Sequence, residues 1–549
     1  MTIKGYEILA QSLKRQGVDT MFFLMGGPMQ SSEDACAQAG IRAIDVRHEQ
    51  AAAMMAHGYA RVRNFPGFCM AASGPGTLNL GTGLGNALVD CTPVVAMGGS
   101  CSSQEIGNGT FQEFDQVAAM RPLTKWAERI NETRRIPELV NKAFQTASSG
   151  KPGPVYLDIP GDVVHGEIDE STVAWPDYDR DRQQARAGAD PVMVDRAIAM
   201  LAAAKKPILV WGSGAAIWSG ASSALKAFVD QTGIPFYATP QGRGAVAEDH
   251  EYCYLTARNV AFKEADLVMI VGTRVNYVLW HMRSPRFNAN AKFIRIDIDP
   301  AEIATTPRLD IGLVGDARRV VEQFNEANNH RIRPEMFDAW RRYLSEAHQQ
   351  RSQAQVVKLA NDQIPIHPLR LCKEIRDFMD RDAIMVVDGR EILEYGRVSI
   401  PTFLPGHRLN SGTFGTMGVG LPYALGAKAA SPNSQVICLH GDGSFGINGM
   451  ELDTAARHGL PVITIISLNG GWTADGQRKR TGSHLGYTRY EKMAEVFGCH
   501  GEYVDKPQDI RPALERASAA TKKGVPAVIN VRTDENARAN AGRFSRYMT

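Results

Sequence analysis

The 549-residue chain lacks several features that would place it in a specialised class of protein. Its eight cysteines include no CxxC pair and no zinc-site spacing, and residues such as Cys69 and Cys438 lie within apolar runs. This pattern predicts buried, reduced thiols rather than a disulfide framework. No apolar run approaches the roughly 20 residues that a membrane-spanning helix needs, so we expect no membrane insertion.

The chain also has little net charge. Its 61 Lys and Arg residues are balanced by 59 Asp and Glu residues, which gives a formal net charge of +2. Such a balance provides no general attraction for nucleic acids or membranes, so any anion site must be local. Residues 1–17 form an amphipathic helix pattern without the apolar core of a signal peptide, and the final Tyr-Met-Thr is not a peroxisomal signal. These features predict a cytoplasmic protein.

The length and the sequence patterns predict three α/β domains. One hydrophobic core rarely organises so long a chain, since domains usually hold roughly 150 to 200 residues. In each third, short apolar runs alternate with helical patterns, which is typical of doubly wound parallel sheets with ligands at the strands' carboxyl ends. The predicted domains cover residues 1–165, 190–330 and 362–549, with a charged helical connector over residues 334–359 before the third.

Residues 436–475 carry the most informative pattern. It consists of a strand (436–440), the turn Gly441-Asp442-Gly443, a helix (448–458), and a second strand (462–468) that ends in Asn469-Gly470-Gly471. In a parallel βαβ unit both strand ends open on one sheet edge, so Asp442 and Asn469 should converge on one ion. Carboxylate, amide and carbonyl oxygens suit Mg²⁺, and glycines let a diphosphate approach the backbone.

The GDG turn, followed 27 residues later by Asn469, resembles the signature of the thiamine diphosphate (ThDP) enzymes. This resemblance implies that Asp442, Asn469 and the carbonyl of Gly471 bind Mg²⁺. It also implies a diphosphate site at the neighbouring residues Gly441, Gly443 and Ser444. The family often has a second asparagine where this chain has Leu468, but that residue is not the ligand.

A second resemblance concerns Glu49, which follows a strand pattern and opens a helical pattern in the context RHEQAAAMMAHGYAR. On its own, a glutamate in the first turn of a helix is usually a partner of the helix dipole. The ThDP enzymes place their essential glutamate in this context. The resemblance implies that Glu49 hydrogen-bonds the aminopyrimidine ring and assists removal of the proton from the thiazolium carbon.

Three more segments are similar to the same family. Ser73 and Gly74, in the sequence SGPG, would let the backbone approach the pyrimidine. Phe111 and Gln112 would face the reacting carbon from across the site. Met417 would lie under the bend between the cofactor rings, where an unbranched side chain fills a concave gap. Without the resemblance, these residues would be interpreted as a turn, a loop with one buried aromatic, and a core methionine.

Residues 265–303 resemble the corresponding segment of 2-hydroxyacyl-CoA lyases and oxalyl-CoA decarboxylases. This likeness implies that Arg274 and Asp297, together with Asp316 and Lys151, contact an ADP molecule. FAD, which other family members hold in this domain, is the less favoured cofactor. The alternative interpretation is a surface arginine and an ordinary aspartate at a strand end.

The resemblance as a whole implies a lyase that cleaves 2-hydroxyacyl-CoA to formyl-CoA and an aldehyde or ketone, and that catalyses the reverse condensation. The alternatives are an oxalyl-CoA decarboxylase, an acetolactate synthase-like enzyme acting on pyruvate, and a non-catalytic protein that binds nucleotide. The expected partners are an acyl-CoA thioester, a small aldehyde or ketone, and further copies of the chain. We expect a homodimer at minimum and favour a homotetramer.

Two basic segments have open interpretations. Residues 477–480 form either a solvated loop or a contact for the phosphates of a CoA ester. The tail, residues 536–549, is either a frayed terminus or a lid over the CoA ester. Arg538, Arg543 and Arg546, together with two aromatic residues (Phe544 and Tyr547), favour the lid because they combine phosphate-binding groups with apolar anchors.

Overall fold

The computed structural model describes residues 1–178 and 185–539 of the chain. Three parallel sheets dominate this part of the chain, and a two-stranded antiparallel pair joins β1 (Thr2–Lys4) to β8 (Glu167–Asp169). Each sheet alternates with helices along the sequence, which confirms the predicted α/β class with three doubly wound sheets. All eight cysteines are free, and six are buried. None of the helices in the described ranges is long and apolar enough to cross a membrane.

The first sheet has the strand order β3-β2-β4-β5-β7-β6. Its strands are β2 (Thr20–Leu24), β3 (Arg42–Asp45), β4 (Gly67–Ala71), β5 (Val94–Ser100), β6 (Trp126–Arg129) and β7 (Val155–Pro160). Its helices are Gly5–Gln16, Gln30–Gln38, Glu49–Arg63, Pro75–Asn79, Gly81–Val89, Gln116–Met120, Ile136–Ser148 and Gly161–His165. Alternate residues of β4 enter two different hydrophobic clusters, so helices cover both faces of the sheet.

The second sheet has five strands in the order β10-β9-β11-β12-β13. The strands are β9 (Pro207–Trp211), β10 (Phe236–Ala238), β11 (Leu267–Val271), β12 (Lys292–Asp297) and β13 (Ile311–Val314). The accompanying α-helices are Pro191–Ala203, Ser222–Thr232, Arg258–Glu264, Pro300–Ala304 and Ala317–Asn328. A long helix, Asp338–Leu359, leads from this unit to the third sheet, as the sequence predicted.

The third sheet has the order β15-β14-β16-β17-β19-β18. The strands are β14 (Ile384–Asp388), β15 (Arg408–Leu409), β16 (Val436–Gly441), β17 (Ile463–Leu468), β18 (His500–Val504) and β19 (Ala527–Arg532). The helices are Pro368–Phe378, Glu391–Ser399, Gly420–Ala430, Asp442–Asn448, Glu451–Arg457, Tyr490–Val496 and Ile510–Lys522. The predicted helix start at residue 448 is wrong. Helical backbone begins at Asp442, where a carboxylate in the first turn suits the helix dipole.

The first and third units share one hydrophobic cluster, centred on the helices Glu49–Arg63 and Gly420–Ala430. Glycines allow these helices to approach closely. A Cβ atom at Gly58 would lie 2.6 Å from the carbonyl oxygen of Tyr423, and one at Gly426 would lie 2.1 Å from that of Met55. His57 Nδ1 and the Tyr423 hydroxyl form a buried 2.9 Å hydrogen bond across the same contact. The helix that Glu49 opens is therefore held against the third unit.

Candidate functional site

Asp442 and Asn469 converge at the carboxyl ends of β16 and β17, which are parallel neighbours. Asp442 Oδ2 accepts hydrogen bonds from the amides of Gly470 at 2.7 Å and Gly471 at 3.0 Å. Asn469 Oδ1 accepts from the same Gly471 amide at 3.0 Å. Burial raises the pKa of Asp442 to about 6, although the backbone amides around it oppose this rise. The paired oxygens form a donor set that fits Mg²⁺.

The other predicted diphosphate-side residues surround this turn. Met417, Gly441, Gly443 and Ser444 line a cavity of about 30 Å³ together with Asp442 and Asn469. Gly443 is a place of close approach, because a Cβ atom there would lie 2.6 Å from the indole of Trp472. This contact explains why glycine is needed beside Asp442 in this conformation.

The turn Gly441-Asp442-Gly443, with Asn469 beside it, is called the metal turn below. Two side chains that the sequence did not associate with this turn cover it. The half-exposed Trp472 packs against Gly443, and Arg478 donates to the carbonyl oxygen of Asn469 at 2.5 Å. The Nη1 atom of Arg478 is buried without a hydrogen-bond partner among the described residues. Arg478 belongs to the basic segment 477–480, whose other cations, Lys479 and Arg480, are exposed.

Glu49 lies in a separate cavity of about 490 Å³ that Ser73, Phe111 and Gln112 also line. His48 caps the helix by accepting from the amide of Gln50 at 3.1 Å, which places Glu49 in the first turn. Glu49 is 8% exposed, and its Oε2 atom accepts a 2.9 Å hydrogen bond from Asn79. The hydrogen bond from Asn79 therefore orients the carboxylate. Sequence reasoning missed Asn79, although it closes the short helix that follows SGPG.

The turn that carries Ser73 and Gly74 is anchored from beneath. Ser73 Oγ donates to the side-chain oxygen of Gln112 at 2.6 Å, and the amide of Gly74 donates to Gln116 at 2.5 Å. The fully buried Gln116 also donates to Asp158 at 2.7 Å. Gly74 has a φ of +59°, which favours glycine. Gln116 had no distinguishing signal in the sequence, since a single glutamine carries no motif.

The predicted residues thus form two groups that lie in different cavities. The cavity of Glu49 and the cavity of Asp442 share no lining residue. Phe111, which lines the first cavity, has 86% of its surface exposed, which is unusual for a large apolar side chain. One copy of the chain, as described, does not bring Glu49 and Asp442 into a common pocket.

The four residues predicted to bind ADP line one cavity of about 970 Å³ at the carboxyl edge of the second sheet. They are Lys151, Arg274, Asp297 and Asp316. Arg274 donates to the carbonyl oxygen of Val89 at 2.7 Å, and Asp297 accepts from Arg295 at 2.8 Å. Asp316 caps the helix Ala317–Asn328 and accepts from Arg186 at 2.9 Å.

Lys151 reaches this cavity from the first unit and is paired there with Glu302. Lys151 Nζ donates to Glu302 at 2.7 Å and to Asp299 at 3.3 Å. Burial on its own would raise the pKa of Glu302, but hydrogen bonds from Lys151 and Arg295 outweigh burial and lower it to about 2. Glu302 therefore stays ionised and keeps Lys151 fixed at the cavity wall.

Arg258 and Arg286, which the sequence analysis did not single out, line the same cavity. The guanidinium groups lie 5.0 and 5.3 Å from the ring centroid of Phe262. The Nε and Nη2 atoms of Arg258 and the Nε atom of Arg286 are buried, and no described residue accepts from them. Burial, with the nearby charges of Arg286 and Arg397, lowers the pKa of Arg258 to about 9. Buried cationic nitrogens without acceptors are costly, and a bound anion would supply the missing acceptors at this wall.

A neighbouring cavity of about 620 Å³ adjoins this wall and reaches the start of the tail. Arg258 and Arg397 line both large cavities, and Arg538 and Ala539 line the smaller one. Ala537, directly before them, lines the cavity of Asp442. Arg538 Nε donates to the carbonyl of Ala474 at 2.9 Å, so the start of the tail runs beside the site. The remaining tail residues of the predicted lid, including Arg543, Phe544, Arg546 and Tyr547, lie outside the described residues.

Comparison with known proteins agrees with this geometry. Three thiamine pyrophosphate enzyme domains match the chain: the N-terminal TPP binding domain at residues 3–119, the central domain at 194–324, and the C-terminal TPP binding domain at 395–531. Thiamine pyrophosphate (TPP) is another name for ThDP.

Full-length relatives carry three different activities in their names. A 2-hydroxyacyl-CoA lyase of Arabidopsis thaliana is 34% identical over 99% of this chain and 98% of its own. The acetolactate synthase large subunit of Mycobacterium tuberculosis is 34% identical over 97% and 96%. The oxalyl-CoA decarboxylase of Escherichia coli is 31% identical over 99% and 97%. Since all three domains match in order and these relatives align over nearly their whole length, the chain belongs to the thiamine pyrophosphate enzyme family.

Proposed function

We propose that this protein is a ThDP-dependent lyase that cleaves 2-hydroxyacyl-CoA to formyl-CoA and an aldehyde or ketone, and that also catalyses the reverse condensation. Its similarity to a 2-hydroxyacyl-CoA lyase supports this reaction. The observation that carries the choice of a CoA ester is the wall formed by Arg258 and Arg286, whose buried nitrogens have no acceptor among the described residues. The phosphates of CoA would supply the missing acceptors.

The shape of the site supports an elongated substrate. Arg258 lines two adjoining cavities, and Arg538 and Ala539 in the smaller one directly follow Ala537 in the cavity of Asp442. Phosphates held at the wall would let the pantetheine arm extend along the smaller cavity toward the cofactor. Pyruvate has neither phosphates nor an arm, so this wall would not contact the substrate of an acetolactate synthase.

Asp442, Asn469 and the carbonyl of Gly471 would hold Mg²⁺, and Gly443 and Ser444 would contact the cofactor diphosphate. A cavity of about 30 Å³ is too small for a diphosphate, so Trp472 and Arg478 would have to move when the cofactor binds. Bound ThDP supplies an electron sink for cleavage of the bond beside the thioester carbonyl. Glu49 would hold a proton at the aminopyrimidine ring, and Asn79 would keep its carboxylate in place.

We further propose that the complete site forms between two copies of the chain, so that the protein is at least a homodimer. Of the possible assemblies we favour a homotetramer. The separate cavities of Glu49 and Asp442, and the exposure of Phe111, support this arrangement. Phe111 and Gln112 would then face the metal turn of the partner copy.

This arrangement predicts that two inactive variants complement each other. After subunit exchange, Glu49→Gln mixed with Asp442→Ala should recover about one quarter of wild-type activity, because half of the dimers are mixed and each holds one intact site. Native mass spectrometry would confirm that exchange took place. Each variant mixed with itself is the control. Demonstrated exchange without recovered turnover would show that both residues act within one copy.

Analysis of the reaction products tests the choice of substrate. The purified protein would be incubated separately with formyl-CoA plus an aldehyde, with oxalyl-CoA, and with pyruvate, and the products identified by mass spectrometry. We expect a 2-hydroxyacyl-CoA in the first incubation at the highest rate. Faster release of carbon dioxide from oxalyl-CoA would assign a decarboxylase, and acetolactate formation would assign a synthase.

The arginine wall gives a residue-level prediction. Arg258→Gln should raise the KM for the acyl-CoA by about 10- to 100-fold, because a charge-assisted hydrogen bond to phosphate contributes roughly 1.5 to 3 kcal/mol. ThDP affinity should be unchanged, since the metal turn lies in another cavity. Arg283→Gln is the matched control, because Arg283 is exposed and does not line either large cavity. Equal KM values for the two variants would show that Arg258 does not contribute to CoA binding.

We also propose that the cavity of Lys151, Arg274, Asp297 and Asp316 binds ADP rather than FAD. The four residues lie together there and combine cations for a diphosphate with carboxylates for ribose hydroxyls. A tail lid remains part of the proposal, supported by the position of Arg538 and by the 2.8 Å hydrogen bond from the Ala539 amide to Glu391.

A further inference from the structure

Trp280 occupies an unusual position in the cavity of about 970 Å³. It follows β11 by a short segment and lines the same cavity as Arg274 and Asp297. Trp280 has 38% of its surface exposed, whereas Leu279 and Met282 on either side of this turn are fully buried. The neighbouring side chains therefore anchor the turn in the core and leave the indole at the cavity.

The backbone of this turn is strained. Trp280, His281 and Met282 have φ values of +47°, +50° and +58°, and none of them is glycine. Successive left-handed residues with side chains are rare, because Cβ crowds the following carbonyl oxygen. The Asn276 side chain supports the turn by accepting from the amide of Val278 at 2.9 Å. A conformation that is costly in itself and that exposes an indole in a cavity indicates a ligand for that indole.

The chemistry of the surrounding wall identifies the class of ligand. Arginine and lysine groups suited to phosphate and the carboxylate of Asp297 suited to ribose lie in the same cavity. An exposed indole beside such groups matches the flat face of a purine base. The adenine could belong to ADP or to the adenosine end of CoA, since both carry the same base and phosphates.

We propose that Trp280 is the base-stacking residue of this cavity, held at the ligand by the strained turn 280–282. This inference rests on the proposed nucleotide cavity and adds to it a residue that recognises the base. Trp280 would contribute to base recognition and not to the binding of phosphates, which the cationic side chains would hold.

The test compares ligands with and without a base on the full-length protein. Calorimetry would measure the affinities of ADP, CoA and inorganic pyrophosphate for the wild type, Trp280→Phe and Trp280→Leu. The leucine variant removes the planar ring but keeps an apolar side chain. It should bind ADP, CoA or both at least about 10-fold more weakly, whereas the phenylalanine variant should keep most of the affinity. Pyrophosphate affinity should be the same in all three proteins.

Trp280→Gly separates loss of stacking from loss of folding. Glycine adopts a φ of +47° without strain, which offsets part of the packing lost with the indole, and the thermal midpoint measures whether the fold is kept. The ADP affinity should fall as in the leucine variant. A loss for ADP alone would assign the base to a resident nucleotide, and a loss for CoA alone would assign it to the substrate. Unchanged affinities, or equal losses for pyrophosphate, would overturn the role of Trp280. A wild type that binds neither ADP nor CoA would overturn the nucleotide cavity itself.

Discussion

Glu49→Gln is expected to lower turnover by about 100- to 10,000-fold while ThDP still binds, which is the range expected when a positioned proton-transfer group is removed. Glutamine has nearly the same shape and can still accept the hydrogen bond from Asn79, but it cannot hold or release the proton. The groups proposed to anchor the diphosphate lie in the cavity of Asp442, so calorimetry should show ThDP affinity close to that of the wild type. Hydrogen–deuterium exchange at the thiazolium carbon, followed by NMR, should slow in parallel with turnover.

Glu105→Gln provides the matched control, because it makes the same change of charge at an exposed glutamate that does not line the cavity of Glu49. Its turnover and exchange rate should equal those of the wild type. A Glu49→Gln protein with wild-type exchange at the thiazolium carbon would exclude Glu49 from proton transfer, even if its activity were low for another reason.

Asp442→Ala is expected to lose Mg²⁺-dependent ThDP binding, with an affinity reduced by about 100-fold or more. Mutating a group that only hydrogen-bonds to a metal ligand typically lowers metal affinity 10- to 100-fold. Removing a carboxylate that binds the ion directly should lower the affinity at least as much. The variant also removes the acceptor for the amides of Gly470 and Gly471, so the turn that presents Asn469 should loosen. Calorimetric titration of ThDP with and without Mg²⁺ measures the effect directly.

The wild type stripped with a chelator should behave like Asp442→Ala and should recover when Mg²⁺ is added, whereas the variant should not recover. Asp505→Asn is the control for the lost charge, since Asp505 is exposed in the same α/β unit. If Asp442→Ala bound ThDP as tightly as the wild type and kept its dependence on Mg²⁺, the ion would have to lie elsewhere.

The convergence of Asp442 and Asn469 could be predicted from the sequence because it depends on local order. Two buried strands joined by one crossover helix must be parallel, and their carboxyl ends must open on the same edge. The structure agrees, since both side chains accept from the amide of Gly471. Resemblance added the expected chemistry of that edge, and the ion itself stays a prediction.

Other parts of the fold gave weak signals. The strands β6, β13 and β15 lie at sheet edges and are only two to four residues long. An edge strand needs little apolar alternation, because one side of it has no strand partner and its faces are less covered. The helix start at Asp442 was missed because the glycines around it were interpreted as a turn.

By itself the sequence determined three doubly wound α/β units and the motif-bearing strand ends, because the apolar period and the turn residues act over short stretches of chain. The family followed from the resemblance of the motifs at those strand ends. The tertiary structure alone decided which distant side chains meet. Asn79 orients Glu49, Gln116 supports the turn of Gly74, and Arg258 and Arg286 share one wall without acceptors. It also placed Glu49 and Asp442 in separate cavities. These contacts depend on how helices pack between units, and no local pattern encodes that packing.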